Sequence, residues 1–157
     1  MENLSLSSTI AKLWNTHRQR ENLYKQTMTL DNLGSIRKFC SQGYMVSLLF
    51  KKEISWIYDQ IKCTLSEGDI SGGIENYNLP NLVISSDNQF SVIKMLMEQE
   101  DKTIKMYKSL LADKDISYDA KLTFTEHIDR LNDIYLFLKN EVTKSQVTVP
   151  LLRKAVA

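Results

Sequence analysis

Four side chains in this sequence could meet in the protein interior and do chemistry there: His17, Glu21, Glu100 and His127. The stretch from Leu13 to Gln26 is typical of a helix, yet His17 and Glu21 fall on the side that should be apolar. Imidazole and carboxylate groups are good ligands for zinc, manganese and iron. A metal site is therefore one interpretation, provided that the helices bring these groups together.

The composition indicates one soluble domain. The chain has 157 residues, of which 43% are hydrophobic and 25% charged. With 20 Lys and Arg against 19 Asp and Glu, the net charge of +1 gives no long-range attraction to nucleic acid or to anionic membranes. Cys40 and Cys63 fall on one predicted helix and could not pair, which fits a reducing cytoplasm. We expect a cytoplasmic protein with no nucleic-acid or membrane partner, and we find no signal peptide or membrane span.

Helix breakers are concentrated in one region, which predicts an all-α fold with one long connection. Three of the five glycines and one of the two prolines lie between residues 64 and 86. The apolar spacing predicts four helices, at about 7–29, 32–64, 87–112 and 116–143. Short connections within the first and second pairs predict two antiparallel hairpins. The long connection between them can cross the whole bundle. Residues 1–146 form the predicted domain, and 147–157 a tail that is flexible or docks on another subunit.

A weak internal repeat supports two matched hairpins. At an offset of 83 residues, Leu13, Tyr24 and Lys25 meet identical residues, and at an offset of 85, Phe39 meets Phe124. The same offsets pair His17 with Glu100 and Gln42 with His127, at similar distances from the two hairpin turns. These four side chains are therefore predicted to form a polar layer half-way along the bundle.

Two helical hairpins, a long crossover and the paired stretches LYKQ (23–26) and MYKS (106–109) resemble the ferritin-like superfamily, including small bacterial and stress-associated members. The resemblance implies a four-helix bundle that can hold a di-iron centre, with Glu-x-x-His on two of its helices. This chain departs from that pattern, because Phe124 stands three residues before His127 and the second helix contains no histidine.

Two interpretations of the polar layer follow. In the first, His17, Glu21, Glu100 and His127 bind iron, manganese or zinc in a metal-handling protein or oxidoreductase with a reduced ligand set. In the second, they form a hydrogen-bonded network that satisfies buried polar groups. No nucleophile pattern or phosphate loop is present, so we predict no catalytic residue. We expect a non-catalytic or degenerate-site ferritin-like bundle, a stress-associated or interaction protein without a resident cofactor, assembled as a homodimer.

Overall fold

The computed structural model describes residues 2–31, 33–64, 73–76, 79–80, 82–84 and 88–156, with side chains from residue 6 to residue 144 apart from Asn76. It contains four α-helices: α1 (Glu2–Met28), α2 (Ile36–Lys62), α3 (Gln89–Leu111) and α4 (Tyr118–Val156). A short 3₁₀ helix covers Ile74–Asn76. No strand occurs in these ranges, so the predicted all-α class is confirmed.

Apolar side chains at three- and four-residue steps give each helix one buried face. On α2 the buried residues include Ile36, Cys40, Gly43, Ser47, Phe50, Ile54 and Ile57. α1 packs against α2 and α3, and α4 packs against α3 and α2. The two pairs of helices thus enclose one core, which is what a four-helix bundle requires.

The helix ends differ from the predicted ones for local reasons. The spacing of Ser86 and Gln89 in the sequence predicts that Ser86 caps α3. In the structure the side-chain oxygen of Asn88 is the cap, accepting a hydrogen bond from the backbone N–H of Ser91 at 3.2 Å. Ser86 lies outside the described residues. The sequence offers Asp115 or Ser117 as the cap of α4, and Ser117 is the one that accepts from the N–H of Ala120 at 3.1 Å. Gly34 has φ 53° in the α1–α2 turn, a conformation that favours glycine.

α4 is the longest helix, and it includes most of the segment that the sequence predicts as a tail. Residues 147–156 continue α4 without a break, and residue 157 lies outside the described residues. The N-terminal helix is likewise longer than predicted, because it begins at Glu2.

Polar side chains of α1 hold the described parts of the connection between α2 and α3. The amide nitrogen of Asn15 donates to the carbonyl of Ile74 at 2.9 Å. Further along α1, Gln26 donates to the carbonyl of Leu82 at 2.8 Å and accepts from the N–H of Ile84 at 2.9 Å. The described parts of this connection therefore lie along α1, whose side chains satisfy the backbone groups of Ile74, Leu82 and Ile84.

Candidate functional site

The middle of the bundle is polar. His17 is 0% exposed and His127 is 1% exposed, so both imidazole rings face the interior. Arg20 and Glu100 are completely buried beside them. Charged and polar side chains are costly to bury unless they bind one another, so the contacts within this group decide what it can do.

The Arg20 guanidinium lies at the centre of the group. Its Nε donates to Glu100 Oε1 at 2.8 Å, which forms a buried ion pair. Its Nη1 donates to His17 Nδ1 at 2.8 Å and to Ser47 Oγ at 3.1 Å. One cation from α1 therefore joins groups from α1, α2 and α3.

Hydrogen bonds continue from His17 through Tyr107 to α4. His17 Nε2 lies 2.7 Å from the Tyr107 hydroxyl oxygen, and that oxygen lies 2.6 Å from His127 Nδ1. His127 Nε2 lies 2.8 Å from Glu53 Oε2 on α2. The five side chains Arg20, His17, Tyr107, His127 and Glu53 thus form one unbroken chain, which we call the relay.

The direction of every hydrogen bond in the relay follows from Arg20. A guanidinium can only donate, so His17 Nδ1 must accept, and the proton of neutral His17 is on Nε2. That N–H donates to the Tyr107 oxygen, the Tyr107 O–H donates to His127 Nδ1, and His127 carries its proton on Nε2, facing the Glu53 carboxylate. The relay therefore runs from a buried cation to an anion, and all its donors point toward Glu53.

Burial and charge keep the relay histidines neutral. Burial lowers the pKa of His17 well below its ordinary value, and the Arg20 cation lowers it further. Burial also lowers the pKa of His127, against the opposing effect of the Glu53 carboxylate. Burial raises the pKa of the Tyr107 phenol well above its usual value. Neutral rings are the state that the relay's hydrogen-bond directions require.

The ion pair keeps Arg20 charged in spite of its burial. Burial disfavours the cation, but attraction from the Glu100 carboxylate outweighs it and raises the pKa of Arg20. Tyr24 donates its hydroxyl to Glu100 Oε1 at 2.9 Å, and its own pKa is raised well above the usual value by burial. The carboxylate thus accepts from two side chains of α1.

Tyr24 needs space that only a glycine on α2 leaves. A Cβ built on Gly43 would lie 2.6 Å from the Tyr24 ring, closer than real contacts allow. Ser47, one turn further along, donates its hydroxyl to the carbonyl of Gly43 at 2.9 Å. Gly43 therefore lets α1 and α2 approach closely enough for Tyr24 to reach Glu100.

Glu53 connects this interior to the surface. Its side chain is 36% exposed, whereas that of His127 is 2% exposed. The Phe50 ring stacks on His127 with centroids 3.7 Å apart and an interplanar angle of 9°. Phe50 thus covers the imidazole while Glu53 reaches solvent. Chemically, the arrangement can hold a fixed dipole and pass protons between its members and Glu53.

The structure brings three of the four predicted metal ligands together, with other side chains between them. Arg20 separates His17 from Glu100, and Tyr107 separates His17 from His127.

The fourth predicted ligand, Glu21, lies outside the relay and pairs with Lys51. Among the described residues, no three His, Cys, Asp or Glu side chains are grouped so that they could hold a metal ion. As they are placed, the four residues do not fit a metal, because both nitrogens of each imidazole are already engaged.

The sequence prediction was wrong about Gln42, which is exposed and does not belong to the polar layer. The sequence prediction missed Arg20, Glu53 and Tyr107 as members of the polar group. Arg20 follows His17 by three residues, one helical step on the same face, and that spacing was the available signal. Identical tyrosines at the repeat positions, Tyr24 and Tyr107, were a second signal.

Compared with known proteins, the chain matches no family model, no curated protein and no solved structure. Within the described part of the chain, none of the helices is both long and apolar enough to cross a membrane.

Proposed function

We propose that this protein is a non-catalytic ferritin-like bundle in which the Arg20 guanidinium takes the place of a metal ion. It works as a cytoplasmic homodimer in an interaction or stress-associated role. The cytoplasmic location and the stress association rest on the composition and on the resemblance. The observation that carries the proposal is the guanidinium held between His17 Nδ1 and Glu100 Oε1.

Helix directions support the ferritin-like architecture. Thr16 contacts Met106 and Tyr24 contacts Glu100, so α3 runs antiparallel to α1. Arg20 contacts Ser47 and Tyr24 lies against Gly43, so α2 also runs antiparallel to α1.

With α2 and α3 parallel to each other, a connection between them has to return along the bundle, which supports a long crossover. The hydrogen bonds from Asn15 and Gln26 to the connection, near the middle and the end of α1, agree with that path.

The chemistry of the donor set supports a structural role for the centre. A metal ion at this place would need the lone pairs of His17 Nδ1 and Glu100 Oε1, and Arg20 binds both. It would also lie beside a permanent positive charge, because the guanidinium does not lose its proton. The bundle centre therefore already holds its cation as part of the polypeptide.

Metal loading of untagged protein tests the proposal. We expect that wild type, incubated anaerobically with iron, manganese or zinc and then dialysed, retains no stoichiometric metal by elemental analysis. Arg20→Glu replaces the cation with a carboxylate between His17 and Glu100, and we expect this variant to retain zinc. Stoichiometric metal in wild type that disappears in His127→Ala would contradict the proposal and favour the metal-binding oxidoreductase.

A further inference from the structure

An apolar groove lies between α2 and α4 on the described surface. Its volume is about 450 Å³, and its apolar lining consists of Phe39, Val46, Ile134 and Phe137. The Phe39 and Phe137 rings stack across it with centroids 4.0 Å apart. Phe137 is 37% exposed although its ring stacks on Phe39. Apolar surface of this kind is typical of an interface.

The exposed face of α2 extends the apolar surface beyond the groove. Met45 is 60% exposed and Leu49 is 52% exposed, one helical turn apart. Met45 and Leu49 follow the groove residues Gln42 and Val46 by three residues each, and we call the groove together with these two side chains the α2–α4 face.

Four charged residues line the groove, and their signs alternate along it: Glu141, Lys38, Asp133 and Arg130. Their order follows from the antiparallel register of α2 and α4, in which Phe39 meets Phe137. At about 1.5 Å per residue, Glu141 and Arg130 are separated by about 16 Å, with Lys38 and Asp133 at intermediate heights. Lys38, Asp133 and Arg130 form no ion pair with another described side chain.

This order is self-complementary. Read from the opposite end, the series minus, plus, minus, plus becomes plus, minus, plus, minus. Two copies that meet face to face with their helices antiparallel would therefore place Glu141 against the partner's Arg130 and Lys38 against the partner's Asp133. A two-fold axis generates each of these pairs twice, as an isologous interface requires.

We propose that the α2–α4 face binds a second copy of this chain, with the two grooves facing each other and the helices antiparallel. The proposal deepens the proposed function by naming the surface of the homodimer. In the isolated chain Glu141 contacts Lys144 at 3.4 Å, and in the dimer it exchanges this contact for the partner's Arg130. Such surface pairs contribute little and exchange easily.

Sedimentation analysis of the full chain over a range of concentrations tests the interface. We expect a monomer–dimer equilibrium in wild type and loss of the dimer in Phe137→Asp, with the dissociation constant raised at least about a hundredfold. Leu122→Asp is the matched control, because Leu122 is 49% exposed on α4 but lies 15 residues away from Phe137. Its dissociation constant is expected to equal that of wild type.

A charge exchange tests the pairing itself. Arg130→Glu or Glu141→Arg alone brings like charges together and is expected to weaken the dimer at least about tenfold. The variant with both changes restores opposite charges across the two-fold axis, and it is expected to regain most of the wild-type affinity.

Three results would overturn the proposal. They are a wild-type monomer at the highest attainable concentration, a dimer that survives Phe137→Asp, and a double charge variant weaker than both single variants. If wild type is a monomer, the proposal is wrong even if the groove binds another occupant, such as an added amphipathic peptide. Metal loading tests the proposal about the buried centre, and sedimentation tests the proposal about the α2–α4 face. Either proposal can therefore prove wrong while the other stands.

Discussion

Replacing Arg20 and Glu100 together is expected to lower the free energy of unfolding by much less than the sum of the two single replacements. Arg20→Met leaves a buried carboxylate without its cation, and Glu100→Leu leaves a buried guanidinium without its anion. Removing one member of a buried ion pair costs about 3–5 kcal/mol, so independent effects would sum to about 6–10 kcal/mol. The double variant buries neither charge. It loses partners for His17 Nδ1 and the Tyr24 hydroxyl, at about 1–3 kcal/mol each, or about 2–6 kcal/mol in total.

Urea unfolding of the four proteins, followed by circular dichroism, gives the coupling free energy, which we expect to be about 4 kcal/mol in favour of the pair. Lys51→Met and Glu21→Leu form the matched control cycle, because each side chain of that pair is 19% exposed. Its coupling is expected to be about 1 kcal/mol or less. Additive effects of Arg20→Met and Glu100→Leu would refute the interpretation of this pair as the centre of the network.

Three further changes test other parts of the site. Because burial lowers the pKa of His17 and His127, the unfolded chain binds more protons below its ordinary histidine pKa of about 6.5, so the free energy of unfolding should fall as pH falls from there. The slope should reach up to about 2.7 kcal/mol per pH unit in urea titrations and be absent from a variant with both residues changed to Gln. Tyr107→Phe should lower the free energy of unfolding, measured by thermal unfolding, by about 2–4 kcal/mol, because it leaves the His17 Nε2 donor and the His127 Nδ1 acceptor buried and unpaired. An unchanged free energy of unfolding would mean that the relay is not formed. Gly43→Ala should cost about 1–3 kcal/mol, because its methyl group meets the Tyr24 ring, and a stabilised variant would contradict the close approach of the helices.

The sequence predicts the helices well because their signals are local. Three- and four-residue apolar spacing is repeated over many turns, and Ser117 caps α4 where the pattern indicates. Helix ends were less predictable. α1 starts at Glu2 and α4 continues through residues 147–156. In both of these end segments, apolar residues do not recur regularly at three- and four-residue steps.

The composition of the polar layer could be predicted only in part. His17 and His127 were predicted to face inward because they fall on apolar stripes, and both do. Arg20 was missed because a long cationic side chain at a stripe edge usually reaches solvent. Its burial depends on Glu100, 80 residues away in sequence. Only the packing of α1 on α3 brings that partner close, and local periodicity does not contain this information.

Gln42 shows the limit of the internal repeat. The offset pairs it with His127, but Gln42 is exposed at the groove while His127 is buried. The hydrogen-bonding position on α2 is taken by Glu53, which reaches His127 Nε2 from the neighbouring helix. Equivalent sequence positions in two hairpins therefore need not face the same environment.

The tautomers of the two histidines test the central claim most directly, since the claim is that Arg20 sets the direction of the whole relay. Long-range proton–nitrogen NMR correlation of the imidazole rings at neutral pH distinguishes a proton on Nδ1 from one on Nε2. We predict that both His17 and His127 are neutral and carry the proton on Nε2. A proton on Nδ1 of either ring, or a charged imidazolium at His17, would contradict the account.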